Sequence, residues 1–331
     1  MDKKKIAAAT VAFAGLFAGY EKYKSDKKLK EPYSRLAEIP NGRASDLVTP
    51  GCIVIEGGAL RGMYAGGVLD AMMKNDLNLE TTIGVSAGAM FGYLYVAGQI
   101  GRGARFNLEN RYNPEYVGVG AMLESGSPFG FKYAFDNDNT PEDPIDFERF
   151  NNSPRHFVAV ATDCETGKPA YLTKENCSDI LEGVHASATL PAVSRMTELD
   201  GKKYLDGGCS VAVPVDWAIE QGFEKIVVVR TRERTYRKLD RDSRTDLLIK
   251  QEYRAYPELL EGMLTADERY NELCDRLVKL ENEGRIYTIA PSISPTVGRI
   301  EKDLEKIGDL YWLCYNDTLD QLDQLREYLG V

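Results

Sequence analysis

Two short strand candidates, the first of them wholly apolar and each followed at once by a glycine-containing turn and a helical pattern, constrain this 331-residue chain more than any other feature. The first is Cys52-Ile53-Val54-Ile55, and the second is Thr81-Thr82-Ile83-Gly84-Val85. An apolar run of this length without regular polar alternation suits a strand buried on both faces. Helices are expected behind them, over Met63 to Lys74 and Ala87 to Val96. Further strands are expected at His156–Thr162, at Ala170–Thr173 (pairing across the Glu165–Lys168 turn), at Ile226–Val229 and at Arg285–Ile289. Charge-rich apolar periodicity predicts helices over 241–283 and 299–329. Strands alternating with helices predict a three-layer α/β fold around a mostly parallel sheet.

The organisation expected is 1–30 as a terminal segment, 31–50 as a linker and 51–331 as the main domain. Pro32, Pro40, Asn41-Gly42 and Pro50 punctuate the linker. The terminal segment runs from Lys3-Lys4-Lys5 through an apolar stretch, Ile6–Gly19, to Lys22, Lys24, Lys27, Lys28 and Lys30. It is short for a span of about 20 apolar residues. Phe13, Leu16, Phe17 and Tyr20 share one helical face flanked by lysines, which suits a helix lying on an anionic membrane. A signal peptide stays open as an alternative, although no clean cleavage region follows. The expected location is cytoplasmic and membrane-associated through this segment.

Composition narrows the chemistry. With 41 Lys+Arg against 51 Asp+Glu the formal net charge is −10, so nucleic acid is not an expected partner. The total says nothing about a local basic patch. Six cysteines, Cys52, Cys164, Cys177, Cys209, Cys274 and Cys314, are scattered without metal-ligand spacing, and read as buried thiols in a reducing compartment. The chain has two histidines, His156 and His185. No ligand cluster is visible, so neither a metal nor another cofactor is expected.

Gly84-Val85-Ser86-Ala87-Gly88 is a G-x-S-x-G pentapeptide between an expected strand and an expected helix. In that context the serine hydroxyl projects from a sharp turn, at a helix N-terminus that favours a developing anion. By itself the pentapeptide also arises by chance in a chain with 30 glycines. Glu56-Gly57-Gly58-Ala59-Leu60-Arg61-Gly62 directly follows the first strand. Its backbone N–H groups can converge on the oxygen of a tetrahedral intermediate, with Arg61 ordering the loop or adding charge. No G-x-G-x-x-G or Walker pattern supports a nucleotide cradle there. Asp206-Gly207-Gly208 follows Tyr204-Leu205, the expected end of a strand. D-G-G is a common turn, and gains weight only because a serine nucleophile needs a base. His156 opens a strand and His185 lies in a helical stretch, so Asp206 is the better candidate.

In order and context, these three motifs resemble the patatin-like phospholipases. Ala186-Ser187-Ala188-Thr189-Leu190-Pro191 resembles a further stretch of that family, and the likeness runs from about Gly51 to Asp216. One departure is Ala59, where the family often has a third glycine. The resemblance implies a three-layer α/β/α patatin-like fold and a Ser-Asp dyad, with Ser86 as nucleophile and Asp206 as base. It implies an oxyanion hole at Gly57, Gly58, Ala59 and Arg61, with Gly84 and Gly88 shaping the elbow. The substrate class implied is a phospholipid, lysophospholipid or other acyl ester, cleaved through an acyl-serine. A soluble carboxylesterase or thioesterase, and a non-catalytic lipid-binding protein, stand as alternatives.

Overall fold

The structure is a computed structural model that describes residues 31–331 apart from Asp240. The terminal segment read as a membrane-prone helix or signal peptide lies outside the described residues. Among them, an eight-stranded sheet is built from β1 (Thr49–Ile55), β2 (Leu79–Val85), β3 (His156–Asp163), β4 (Pro169–Leu172), β5 (Thr197–Leu199), β6 (Lys202–Asp206), β7 (Ile226–Val229) and β8 (Tyr287–Ile289). The spatial order is β8-β7-β1-β2-β3-β6-β5, with β4 paired to β3. The five strands from β8 to β3 are mutually parallel; β4 and β6 run antiparallel to β3, and β5 antiparallel to β6. This is the mostly parallel sheet that strand–helix alternation requires.

Alternation along each strand feeds two cores. Ile53, Ile55, Val227 and Val229 point to one face, where they pack with α1 (Met63–Lys74), part of α2 (Ala87–Val96) and α9 (Leu304–Asp320). Cys52, Val54, Ile83, Val85, Ile226 and Val228 point to the other, against α5 (Val215–Glu220) and α8 (Ala266–Asn282). With both faces covered, the strands can be apolar throughout, which is why the runs were legible. Helix α2 sits centrally and is buried nearly all round, as its composition of Ala, Gly, Met, Phe, Leu, Tyr and Val dictates.

Between α3 (Arg102–Asn110) and β3 the chain forms short helices at Val119–Ser125, Phe131–Ala134 and Phe147–Asn152. Their aromatic residues build a separate cluster in which Tyr93 stacks on Phe150 at 3.7 Å and Phe131 stacks on Phe135 at 4.5 Å. The remaining helices are α4 (Ile180–Ser187), α6 (Ser243–Glu252), α7 (Pro257–Leu264) and α10 (Leu322–Leu329). Within the stretch expected to link, Tyr33, Ile39 and Ala44 are buried, and the Tyr33 ring lies against Gly308 of α9. Five of the six cysteines are buried and Cys177 is half-buried; all six are free thiols. Among the described residues no helix is long and apolar enough to cross a membrane.

Candidate active site

Strand β3 brings the two distant motifs together. Along one edge it pairs with β4 from Ala159 to Thr162. Along its other edge it pairs first with β2, ending at the Val85–Val160 rung, and then with β6, beginning at Ala161–Asp206. The end of β2 and the end of β6 therefore meet on consecutive rungs. Ser86 is the residue after β2 and Asp206 is the last residue of β6, so they face each other although 120 residues apart in sequence (206 − 86).

Ser86 has φ +57° and ψ −126°, a conformation costly for a residue with a Cβ, on the order of 1–3 kcal/mol. The neighbours over-determine it. The Ser86 N–H donates to Ser187 Oγ at 2.8 Å, and Ser187 Oγ–H donates to the Val160 carbonyl at 2.6 Å. Ser187 belongs to the Ala186–Pro191 stretch, so one physical role of that stretch is to clamp the elbow. Gly88 lets the first turn of α2 lie on the end of β1, because a Cβ there would sit 2.5 Å from the Ile55 carbonyl oxygen. Gly84 lies under the same turn, where a Cβ would overlap the Gly88 carbonyl.

Asp206 is also buried. Its N–H donates to the Thr189 carbonyl at 2.8 Å, its carbonyl accepts from Thr162 Oγ1 at 2.9 Å, and its Oδ1 accepts the Gly208 N–H at 2.8 Å. Burial pushes its carboxyl up to about 6, against the opposing pull of the nearby Ser86 hydroxyl, the Gly208 N–H and the positive Arg299. A carboxyl near 6 is ionised at neutral pH while remaining more basic than an exposed one.

The glycine loop abuts this pair. A Cβ on Gly57 would stand 2.8 Å from Ser86 Cβ and from the Val85 carbonyl, so a side chain there would hold the loop away from the serine. The N–H groups of Gly57, Gly58 and Ala59 donate to nothing among the described residues. Ala59 stands in the left-handed region at φ +51°, the conformation for which a glycine is the natural occupant. Arg61 is buried, and its Nε has no acceptor among the described residues. Burial, with the nearby Arg232 and Arg299, pulls its guanidinium down to about 10.

Residues that no sequence motif pointed to fasten the loop. Glu56 is buried and accepts the Thr231 N–H at 2.7 Å on Oε2 and the Tyr270 hydroxyl at 2.7 Å on Oε1. Thr231 Oγ1 donates to the Gly57 carbonyl at 2.8 Å. The Leu60 N–H donates to the Arg299 carbonyl at 3.3 Å.

Two cavities meet at Ser86. One, of about 80 Å³, is a largely apolar pocket walled by Met90, Phe91, Leu94, Phe106, Phe131 and Phe135. The other, of about 470 Å³, is a cleft bordered by the glycine loop, Asp206 and several cations. His185 lines the apolar pocket, but its ring stacks on Phe131 at 4.8 Å and its Nδ1 bonds Glu182 at 3.0 Å. His156 opens β3 and is exposed.

The family model described as patatin-like phospholipase matches residues 53–219, just over half of the chain. The chain belongs to the patatin-like phospholipase family. The match contains the glycine loop, the elbow and Asp206. A second family model, a domain of unknown function (DUF6363), matches residues 256–330, which supply α8, β8, α9 and Arg299. Among curated relatives, the uncharacterized protein YjjU of Escherichia coli K12 is 29% identical over 186 residues, covering 54% of this chain and 51% of that protein. The probable lipid hydrolase 463L of Invertebrate iridescent virus 6 is 24% identical over 206 residues, covering 56% of this chain and 71% of that protein. The chain thus spans about half the length of the bacterial relative. VipD from Legionella pneumophila aligns in structure with a TM-score of 0.44 and 12% identity, over 85% of this chain and 68% of that one.

Proposed function

We propose that this patatin-like protein is a lipid acyl hydrolase working through a Ser86–Asp206 dyad. The observation that carries the reading is the strained, clamped Ser86, set on the rung next to the buried Asp206 carboxyl at the junction of an apolar pocket and a polar cleft. Asp206 takes the Ser86 proton as Oγ bonds to the ester carbonyl carbon. The N–H groups of Gly57, Gly58 and Ala59 receive the resulting oxyanion, with Arg61 adding positive charge. The carbon–oxygen bond to the leaving alcohol then breaks, and that alcohol takes the proton from Asp206. Water, deprotonated by the same carboxylate, attacks the acyl-serine and releases the fatty acid and Ser86. The apolar pocket suits an acyl chain. A membrane-borne substrate fits the exposed Leu247 and Leu248 of α6, the second of which lines the cleft. These two leucines make the lipid-facing rim of this reading.

A fluorophosphonate probe is expected to label the full chain once, at Ser86. Ser86→Ala should abolish labelling and lower hydrolysis of phospholipid vesicles by about 10³-fold or more. Equal labelling of the folded Ser86→Ala protein would overturn the assignment.

A further inference from the structure

The cleft side of Ser86 holds more positive charge than its carboxylates can answer. Arg61, Arg232 and Arg299 all line it, and the last two are close enough to depress Arg61 electrostatically. The carboxylates of the cleft are engaged elsewhere. Glu56 is held by Thr231 and Tyr270, Asp206 by Gly208, and Asp267 by Lys238 and Arg241. Among the described residues none of the three guanidiniums has an ion-pair partner; Arg232 stacks over the Tyr236 ring at 4.4 Å. Arg61 is about nine-tenths buried with an unanswered Nε, a costly state for a donor. Three cations around one cavity, one of them buried, raise the local potential and favour an anion there.

The position of that anion follows from the same contacts. The Arg299 carbonyl is docked on Leu60 of the glycine loop, and its charge reaches Asp206. The charge cluster therefore lies beside the reacting centre, lining the cleft and not the aromatic pocket. A molecule spanning both would carry an acyl chain on one side of its ester and an anionic group on the other. Planar guanidiniums match the two-oxygen face of a phosphate, which they bind through parallel hydrogen bonds. We infer that Arg232, Arg299 and Arg61 form a phosphate subsite that receives the phosphodiester of a glycerophospholipid while its acyl chain enters the aromatic pocket. Arg232 and Arg299 are then specificity-determining residues, favouring phosphate-bearing lipids over neutral acylglycerols. This rests on the dyad reading of Ser86 above.

The test compares two monomeric substrates with identical short acyl chains, dihexanoyl phosphatidylglycerol and dihexanoylglycerol, in the full chain. The wild type should prefer the phospholipid in kcat/KM. Arg232→Gln and Arg299→Gln should each lower the ratio of the two kcat/KM values about tenfold, mostly through KM. Arg232→Lys and Arg299→Lys should restore part of it, and they read the same ratio if a glutamine variant does not fold. An unchanged ratio in folded glutamine variants, with both substrates cleaved in a Ser86-dependent way, overturns the subsite and leaves the dyad standing. Cleavage of neither substrate by the wild type, with no labelling of Ser86, removes the dyad and the subsite together. Inorganic phosphate is the second probe: arginine-dependent protection by millimolar phosphate without any phospholipid preference assigns the cleft to a free phosphate and overturns the lipid assignment.

Discussion

Asp206 is an acid kept where ionisation is disfavoured, and this has consequences in two directions. In an unfolded chain its pKa is about 3.9, whereas burial lifts it to about 6 in the fold. Across that window the folded chain retains a proton that the unfolded chain has lost. Stability contributed by Asp206 therefore falls as pH rises from about 4 to 6, with a cost on the order of 2–3 kcal/mol above it. The proposed dyad requires the ionised form, so hydrolysis should climb about tenfold per pH unit below 6 and level off above it. Asp206→Asn should abolish turnover yet raise the melting temperature at pH 7.5 and change it little at pH 4, as thermal unfolding at both pH values will report. A variant less stable than wild type at pH 7.5 would refute this balance. Ala59 offers a gentler test. Its left-handed φ costs an alanine about 1–2 kcal/mol, and a glycine recovers that less the greater freedom it has when unfolded. Ala59→Gly should thus stabilise the protein by at most about 1 kcal/mol and preserve turnover of a soluble ester. Ser86, Asp206 and the glycine loop stood out as candidates in the sequence because each sits in a local pattern that means something only in a strand-to-helix or strand-to-turn context. The anchors of Glu56 were not: Thr231 and Tyr270 lie 175 and 214 residues away, and no local pattern links them.

Elements buried on all sides were readable, and those that answer to neighbours were not. Helices α1 and α2 run over Met63–Lys74 and Ala87–Val96, the ranges expected, because a glycine turn marks where each begins. The helices expected over 241–283 are α6, α7 and α8, whose boundaries the periodicity did not mark. Pro257 starts α7, and Thr265 separates α7 from α8. Proline lacks the N–H that a continuing helix needs, so a break there has a plain cause. The sequence pattern assigns nothing between 97 and 155. The short helices of that region have too few turns to show a period, and their aromatics are ordered by packing on Tyr93 and Phe106 rather than by helix geometry. In α6, Ile249 is buried, whereas Leu247 and Leu248 are about two-thirds exposed, and Leu248 lines the cleft. Apolar side chains beside a cation-lined opening match an anionic bilayer, which offers acyl burial and negative charge together. Replacing both leucines by glutamine should lower binding to phosphatidylglycerol-containing vesicles by at least about tenfold in a sedimentation assay, since burying a single leucine gives about 1.5–3 kcal/mol. Undiminished binding would move the lipid-facing rim elsewhere.

At the scale of the molecule, the family match to residues 53–219 ends before the sheet does. β7 and β8 lie beyond it, and β8 falls within the 256–330 match. That second region is woven into the first. Strand β8 completes the sheet beside β7, Tyr270 of α8 bonds Glu56, and Tyr311 of α9 donates to the buried Asp70 of α1 at 2.9 Å. Leu277 and Leu280 close one core, and Ile307, Leu310 and Cys314 close the other. Ending the chain at residue 255 would bare both cores, strip the edge of β7 and leave Glu56 buried without its tyrosine. Each lost large apolar side chain removes about 1.5–3 kcal/mol, and a typical domain holds only about 5–15 in total. The 31–255 fragment should therefore fail to fold: no cooperative melt by circular dichroism, association in size-exclusion chromatography, and no probe labelling at Ser86. If that fragment melts cooperatively and still labels, the 256–330 region is an accessory to a self-sufficient domain, and the Glu56–Tyr270 bond is not what holds the glycine loop against Ser86.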